Sequence, residues 1–86
     1  MSEPAVHLKR LKIRSWRRGT REMDLILGRF FDARGAGLSD DELALYDQLL
    51  SENDHDLYGW VAGQAPPPDA YVDLVQRIAD HGARTG

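Results

Sequence analysis

The chain has 86 residues with 11 Lys or Arg, 14 Asp or Glu, three His, no Cys and a formal net charge of −3. That length fits a single domain with a modest core, and the missing cysteine excludes disulfide and thiolate chemistry. The apolar runs are too short for a membrane-spanning helix, and the opening "MSEPAVHLKR" has no basic region leading into an apolar one, so no cleavable leader is expected.

Every segment with a clear hydrophobic period reads as helix. The first is predicted over residues 4–15: Pro4 suits a first turn, and Ala5, Leu8 and Leu11 share a face. The second is predicted over 20–33, with Met23, Leu27, Phe30 and Phe31 at helical spacing and Ile26 beside them. Two glycines in "ARGAG", Gly35 and Gly37, can take positive φ and end it. The third start is the clearest. "LSDDEL" gives an N-cap at Ser39, a capping box with Glu42, and a Leu38–Leu43 staple. Leu43, Tyr46, Leu49 and Leu50 form its apolar face. A short fourth helix starts at Asn53 or Asp54, carries Leu57, Trp60 and Val61, and ends near Gly63. "QAPPPD" is a stiff non-helical connector. Asp69 caps a last helix with Tyr71, Leu74, Val75 and Ile78 on one face and Gly82 at its end. No strand alternation of useful length occurs. The expectation is an all-α fold, a compact bundle of about five short helices in one domain, ordered over about residues 4–82 with a frayed tail at 83–86.

The charge is uneven. Lys9, Arg10, Lys12, Arg14, Arg17, Arg18 and Arg21 gather near the N-terminus. From Asp40 to Asp56 there are only acidic charges: Asp40, Asp41, Glu42, Asp47, Glu52, Asp54 and Asp56. One basic and one acidic face follow, both explicable as solvated surfaces. "DHD", Asp54 to Asp56, invites a metal reading, but three ligands so close at a helix start do not converge on one ion. Capping and dipole complementarity account for the aspartates. His7 and His81 read as isolated and exposed. No nucleophile motif, acid–base pair or glycine-rich phosphate loop is present, so neither a catalytic nor a metal site is assigned.

The basic stretch with Trp16 interleaved raises nucleic-acid binding or a regulatory role as an alternative. The acidic balance opposes a polyanion, and the helix after Gly19 is mainly apolar rather than a basic recognition helix.

Gly19, inside "SWRRGTREMD", marks the break between the first two helices. The plain reading makes it an N-cap with Glu22 at N3. That leaves the arginine surplus unexplained. A glycine exposed between charged side chains also admits another backbone closely, and guanidinium and carboxylate groups beside it offer charge-assisted hydrogen bonds.

"RRGTREMDLIL", Arg17 to Leu27, resembles the signature of the succinate dehydrogenase flavinylation (assembly) factor family. The family's Arg-Gly-x-x-Glu, often followed by x-Asp, falls on Arg18, Gly19, Glu22 and Asp24. The pattern Asp-x-x-Leu-x-x-Trp falls on Asp54, Leu57 and Trp60. Thr20 departs from the larger apolar residue many members carry, which is expected to loosen packing or the partner contact there. The resemblance covers nearly the whole chain and implies a small five-helix protein that is not itself an enzyme. It implies binding to the flavoprotein subunit of succinate dehydrogenase, or of fumarate reductase, and promotion of covalent FAD attachment to a histidine of that subunit. FAD is then the client's cofactor, with none bound stably by this chain. Arg18, Gly19 and Glu22 would centre the docking surface, with Arg17, Arg21 and Asp24 as flanking contacts and Trp16 either contact or core. Leu57, Trp60, Phe30, Phe31 and Tyr46 are expected in the core. The free protein is expected to be a monomer without membrane insertion, in the cytoplasm of a bacterium or the mitochondrial matrix of a eukaryote.

Overall fold

A computed structural model describes the backbone of residues 3–85 and the side chains of residues 6–82. Five α-helices account for most of it: α1 Glu3–Trp16, α2 Arg21–Arg34, α3 Asp40–Leu50, α4 Asp54–Val61 and α5 Val72–Thr85. Three-residue 3-10 turns follow α2 and precede α5. Among the described residues there is no strand, so the all-α expectation holds. The chain divides into two compact units, Met1–Leu38 and Ser39–Gly86.

The first unit is the helical hairpin of α1 and α2. Leu11 is fully buried on α1, and Met23, Leu27, Phe30 and Phe31 are buried on α2. Leu8 and Ile26 are half-buried, and the placement of Ala5 lies outside the described side chains. Ser15 is buried too, its hydroxyl donating to the Leu11 carbonyl at 2.7 Å. That bond returns the hydroxyl to the carbonyl one turn back along its own helix. The end of α2 differs from the sequence reading. Gly35 keeps right-handed φ, −57°, and begins the 3-10 turn. Its missing side chain serves close packing, since a Cβ there would lie 2.8 Å from the Phe31 ring.

In the second unit the capping box of α3 forms as the sequence predicts. The Glu42 amide donates to Ser39 Oγ at 3.2 Å and the Ser39 amide to Glu42 Oε1 at 2.8 Å. Arg77 of α5 also donates to Glu42. The Ser39 amide above all, and then the Arg77 guanidinium, hold the Glu42 carboxyl below its ordinary range. Asn53 caps α4 by accepting from the His55 amide at 2.7 Å. Gly63, at φ +79°, closes the other end. Its amide donates to the Trp60 carbonyl at 3.3 Å and that of Gln64 to the Gly59 carbonyl at 2.8 Å, the two bonds of a Schellman motif.

Helix α5 corrects both of its predicted ends. Asp69 opens a 3-10 turn instead of capping by side chain, and the Tyr71 amide donates to the Pro68 carbonyl at 2.9 Å. At the other end α5 runs through Gly82 to Thr85, so one glycine's weak helix propensity does not stop it. His7 and His81, expected to be exposed, are half-buried.

Tyr46, Leu49, Leu50, Leu57, Tyr71, Leu74, Val75 and Ile78 are buried, but Trp60 is only half-buried. Its ring stacks at a tilt on Tyr71, with centroids 6.0 Å apart. It also lines a groove with Pro66, Pro67 and Val72. The proline connector lies beside the indole without sealing it, which moves Trp60 from the core to its edge. Trp60→Ala should therefore cost about 2 kcal/mol, roughly half of what a fully buried indole would lose. Urea unfolding of the variant measures this, and a loss above about 4 kcal/mol would mean the indole is enclosed in solution.

Burial, and then the Glu52 carboxylate that accepts its hydroxyl at 3.1 Å, raise the Tyr71 phenol above its ordinary value of 10.0. The unfolded chain loses this proton near the ordinary value while the folded chain keeps it. The contribution to stability is thus fully present below pH 10.0 and is lost as pH rises toward the raised folded value. Unfolding midpoints from pH 9 to 11 should fall less steeply in Tyr71→Phe than in the parent. Parallel slopes would contradict this assignment.

Candidate functional site: the loop between the first two helices

Helix α1 stops at Trp16, and Arg17 to Thr20 form the loop that turns the chain into α2. Gly19 takes φ +106°, a value that L side chains rarely adopt. A Cβ there would meet nothing within 4 Å, so the glycine serves the backbone conformation and leaves an open surface above it. The N-cap of α2 is Thr20 rather than Gly19. It has extended dihedrals, φ −125° and ψ 145°, and its hydroxyl accepts from the Met23 amide at 3.3 Å. Glu22 consequently stands at the second helical position, not the third. At Thr20, where the sequence departs from the family pattern, the hydroxyl satisfies one of the helix's first amides.

Asp24 braces the loop. Its Oδ1 accepts the Arg18 amide at 2.6 Å while its own amide donates to the Thr20 carbonyl at 3.0 Å. A carboxylate accepting a backbone N–H across six residues is a strong, directional tie. Asp24 and Arg18 are half-buried, whereas Arg17, Gly19, Arg21 and Glu22 are exposed. The six residues singled out in the sequence lie on the loop and the first turn of α2. Asp24 acts there through the backbone it holds.

Sequence reasoning missed the support beneath this loop. The half-buried Trp16 indole lies against Gly28 of α2, where a Cβ would sit 2.3 Å from Trp16 Cδ2. Its Nε1 donates to Asp32 Oδ2 at 3.2 Å, and Lys12 Nζ stands 3.8 Å from Asp32 Oδ1. A signal was available: Gly28 falls on the buried face of α2, between Leu27 and Phe30, where a small residue implies a large neighbour.

The acidic residues Asp40, Asp41 and Glu42 occupy the first turn of α3, and Asp54 and Asp56 that of α4. These are positions where carboxylates complement the helix dipole. Among the described residues no group of three or more His, Asp or Glu side chains is placed to hold a metal ion. No described helix is long and apolar enough to cross a membrane.

Fold and loop define a small all-helical protein that presents a charged, glycine-centred turn between its first two helices. The chain belongs to the family described as the flavinator of succinate dehydrogenase (Sdh5), whose model matches residues 9–82. It is 35% identical over 80 residues to the mitochondrial succinate dehydrogenase assembly factor 2 of Drosophila grimshawi, covering 90% of this chain and 54% of the relative. Against the protein of the same name from Meyerozyma guilliermondii it is 43% identical over 67 residues, 74% of this chain and 50% of that one. The FAD assembly factor SdhE of Legionella pneumophila is 36% identical over 62 residues, 72% of this chain and 78% of the relative. The chain spans about half the length of the mitochondrial relatives it matches. No solved structure matches it.

Proposed function

We propose that this chain is a non-catalytic assembly factor that binds the flavoprotein subunit of succinate dehydrogenase, or of fumarate reductase, and promotes covalent attachment of FAD to a histidine of that client. Arg18, Gly19 and Glu22 form the centre of the docking surface, flanked by Arg17 and Arg21. The observation that carries the reading is the Gly19 turn itself. An exposed glycine at φ +106°, with an open face above it and exposed charges of both signs beside it, admits a partner backbone. It lies on the sequence signature of the family to which the chain belongs. Guanidinium and carboxylate groups so presented supply charge-assisted hydrogen bonds to the partner.

The flavin chemistry belongs to the client. A helper without an assembled active site can accelerate it by holding client elements in the reactive orientation, selecting a conformation that the free client visits rarely. Deleting the gene in its host and resolving whole-cell protein on a denaturing gel tests this. Protein-bound flavin fluorescence at the size of the flavoprotein subunit should fall strongly and return on complementation. Undiminished fluorescence would defeat the proposal.

A further inference from the structure

We propose that Gly28 and Asp32, outside the loop, are positioning residues for it: they seat the Trp16 indole on α2 and so fix the path along which Arg17 and Arg18 leave α1. The inference rests on the reading of the loop as the docking element.

Trp16 is the last residue of α1, one peptide bond from Arg17. A Cβ on Gly28 would lie 2.3 Å from Trp16 Cδ2, 2.4 Å from Cε2 and 2.7 Å from Cε3. These atoms belong to the fused part of the indole, so the ring lies flat on the α2 backbone. No flexible tip can swing aside, and any added side-chain atom must displace the whole ring. Asp32, one turn beyond Gly28, fixes the remaining in-plane freedom by accepting Nε1 at 3.2 Å. Lys12, one turn before Trp16, approaches the same carboxylate from α1 at 3.8 Å. Beyond Arg17, the Arg18 amide is tied to Asp24 Oδ1 at 2.6 Å. The backbone of Arg17 and Arg18 is therefore tethered on both sides to one rigid helix. A loop so held presents its side chains without an ordering cost at the moment of binding.

Gly28→Ala should expel the indole and release the first tether. The full-length variant is compared with the parent by amide NMR and by binding to the purified flavoprotein subunit, at a temperature where circular dichroism reports it folded. The Arg18 and Gly19 amide resonances should shift, although residue 28 is more than two helical turns from the loop in sequence. Client affinity should fall about tenfold or more, the scale at which small misplacements of binding groups act. Folded Gly28→Ala with unmoved loop amides and parent affinity would overturn the inference. If that variant does not fold, Asp32→Ala decides instead. It adds no bulk and lies at an exposed position, and unmoved loop amides in it would likewise overturn the proposal. Arg18→Ala run in parallel separates the two layers. Parent affinity there defeats the docking reading, whereas the loop amides judge the positioning claim without the client.

Discussion

Gly19→Ala should lower stability by about 1–3 kcal/mol, the usual cost of forcing an L side chain into a sparsely populated backbone region. In a domain of this size each kcal/mol is worth about 4–8 °C in unfolding midpoint. An N-cap glycine would accept alanine at a loss of only about 1 kcal/mol, but the observed φ of +106° removes that option. The strain is one of handedness, because nothing lies within 4 Å of the added Cβ. A D-alanine placed there by chemical synthesis should therefore keep the parent midpoint. Gly19→Arg should combine strain with a long obstruction and bind worst. Equal midpoints for the L- and D-alanine proteins would show that the turn relaxes in solution and that its conformation is not fixed.

Arg18→Ala and Glu22→Ala should show the opposite pattern, folded protein with lost function. Glu22 is exposed in the first turn of α2, so its removal costs about 0.3–1 kcal/mol through the helix dipole. Arg18 is half-buried, but the bond that fixes its backbone uses its amide and survives truncation of the side chain. Hydrogen bonds to charged groups contribute about 1.5–3 kcal/mol each. Losing one should weaken client binding about tenfold to a hundredfold, and the double variant more. Isothermal titration against the purified flavoprotein subunit, beside a thermal melt of each variant, checks both halves. Parent affinity in the double variant would remove these side chains from the interface.

Much of this was legible in the sequence because it is local. Ser39 and Glu42 stand three residues apart and close a capping box wherever a helix begins there. Gly63 terminates α4 as its position suggests. The apolar face of α2 and most of the aromatic core follow from a period of 3.6. What escaped depends on backbone handedness or on contacts between elements. A glycine followed by threonine can cap with either residue, and only the φ of Gly19 and the extended Thr20 decide for threonine. The Asp24 brace needs the loop to fold back over the helix start. The seat of Trp16 on Gly28 needs the two helices packed together. Trp60 has the spacing of a core residue, yet the proline connector leaves its ring at a groove. Asp69 and Gly82 carried local signals for a cap and a stop, yet the chain opens a 3-10 turn at the first and continues the helix through the second.

On the proposed docking role, the Arg18 and Glu22 side chains serve a client rather than the fold. The most direct measurement is covalent flavin on the flavoprotein subunit in cells whose only copy of the gene carries Arg18→Ala and Glu22→Ala. Circular dichroism and a thermal melt of the purified variant establish that it is folded. The expected result is folded protein at normal abundance and flavin fluorescence on the denatured client reduced to that of the deletion strain. A folded double variant that supports parental flavinylation would contradict the docking role.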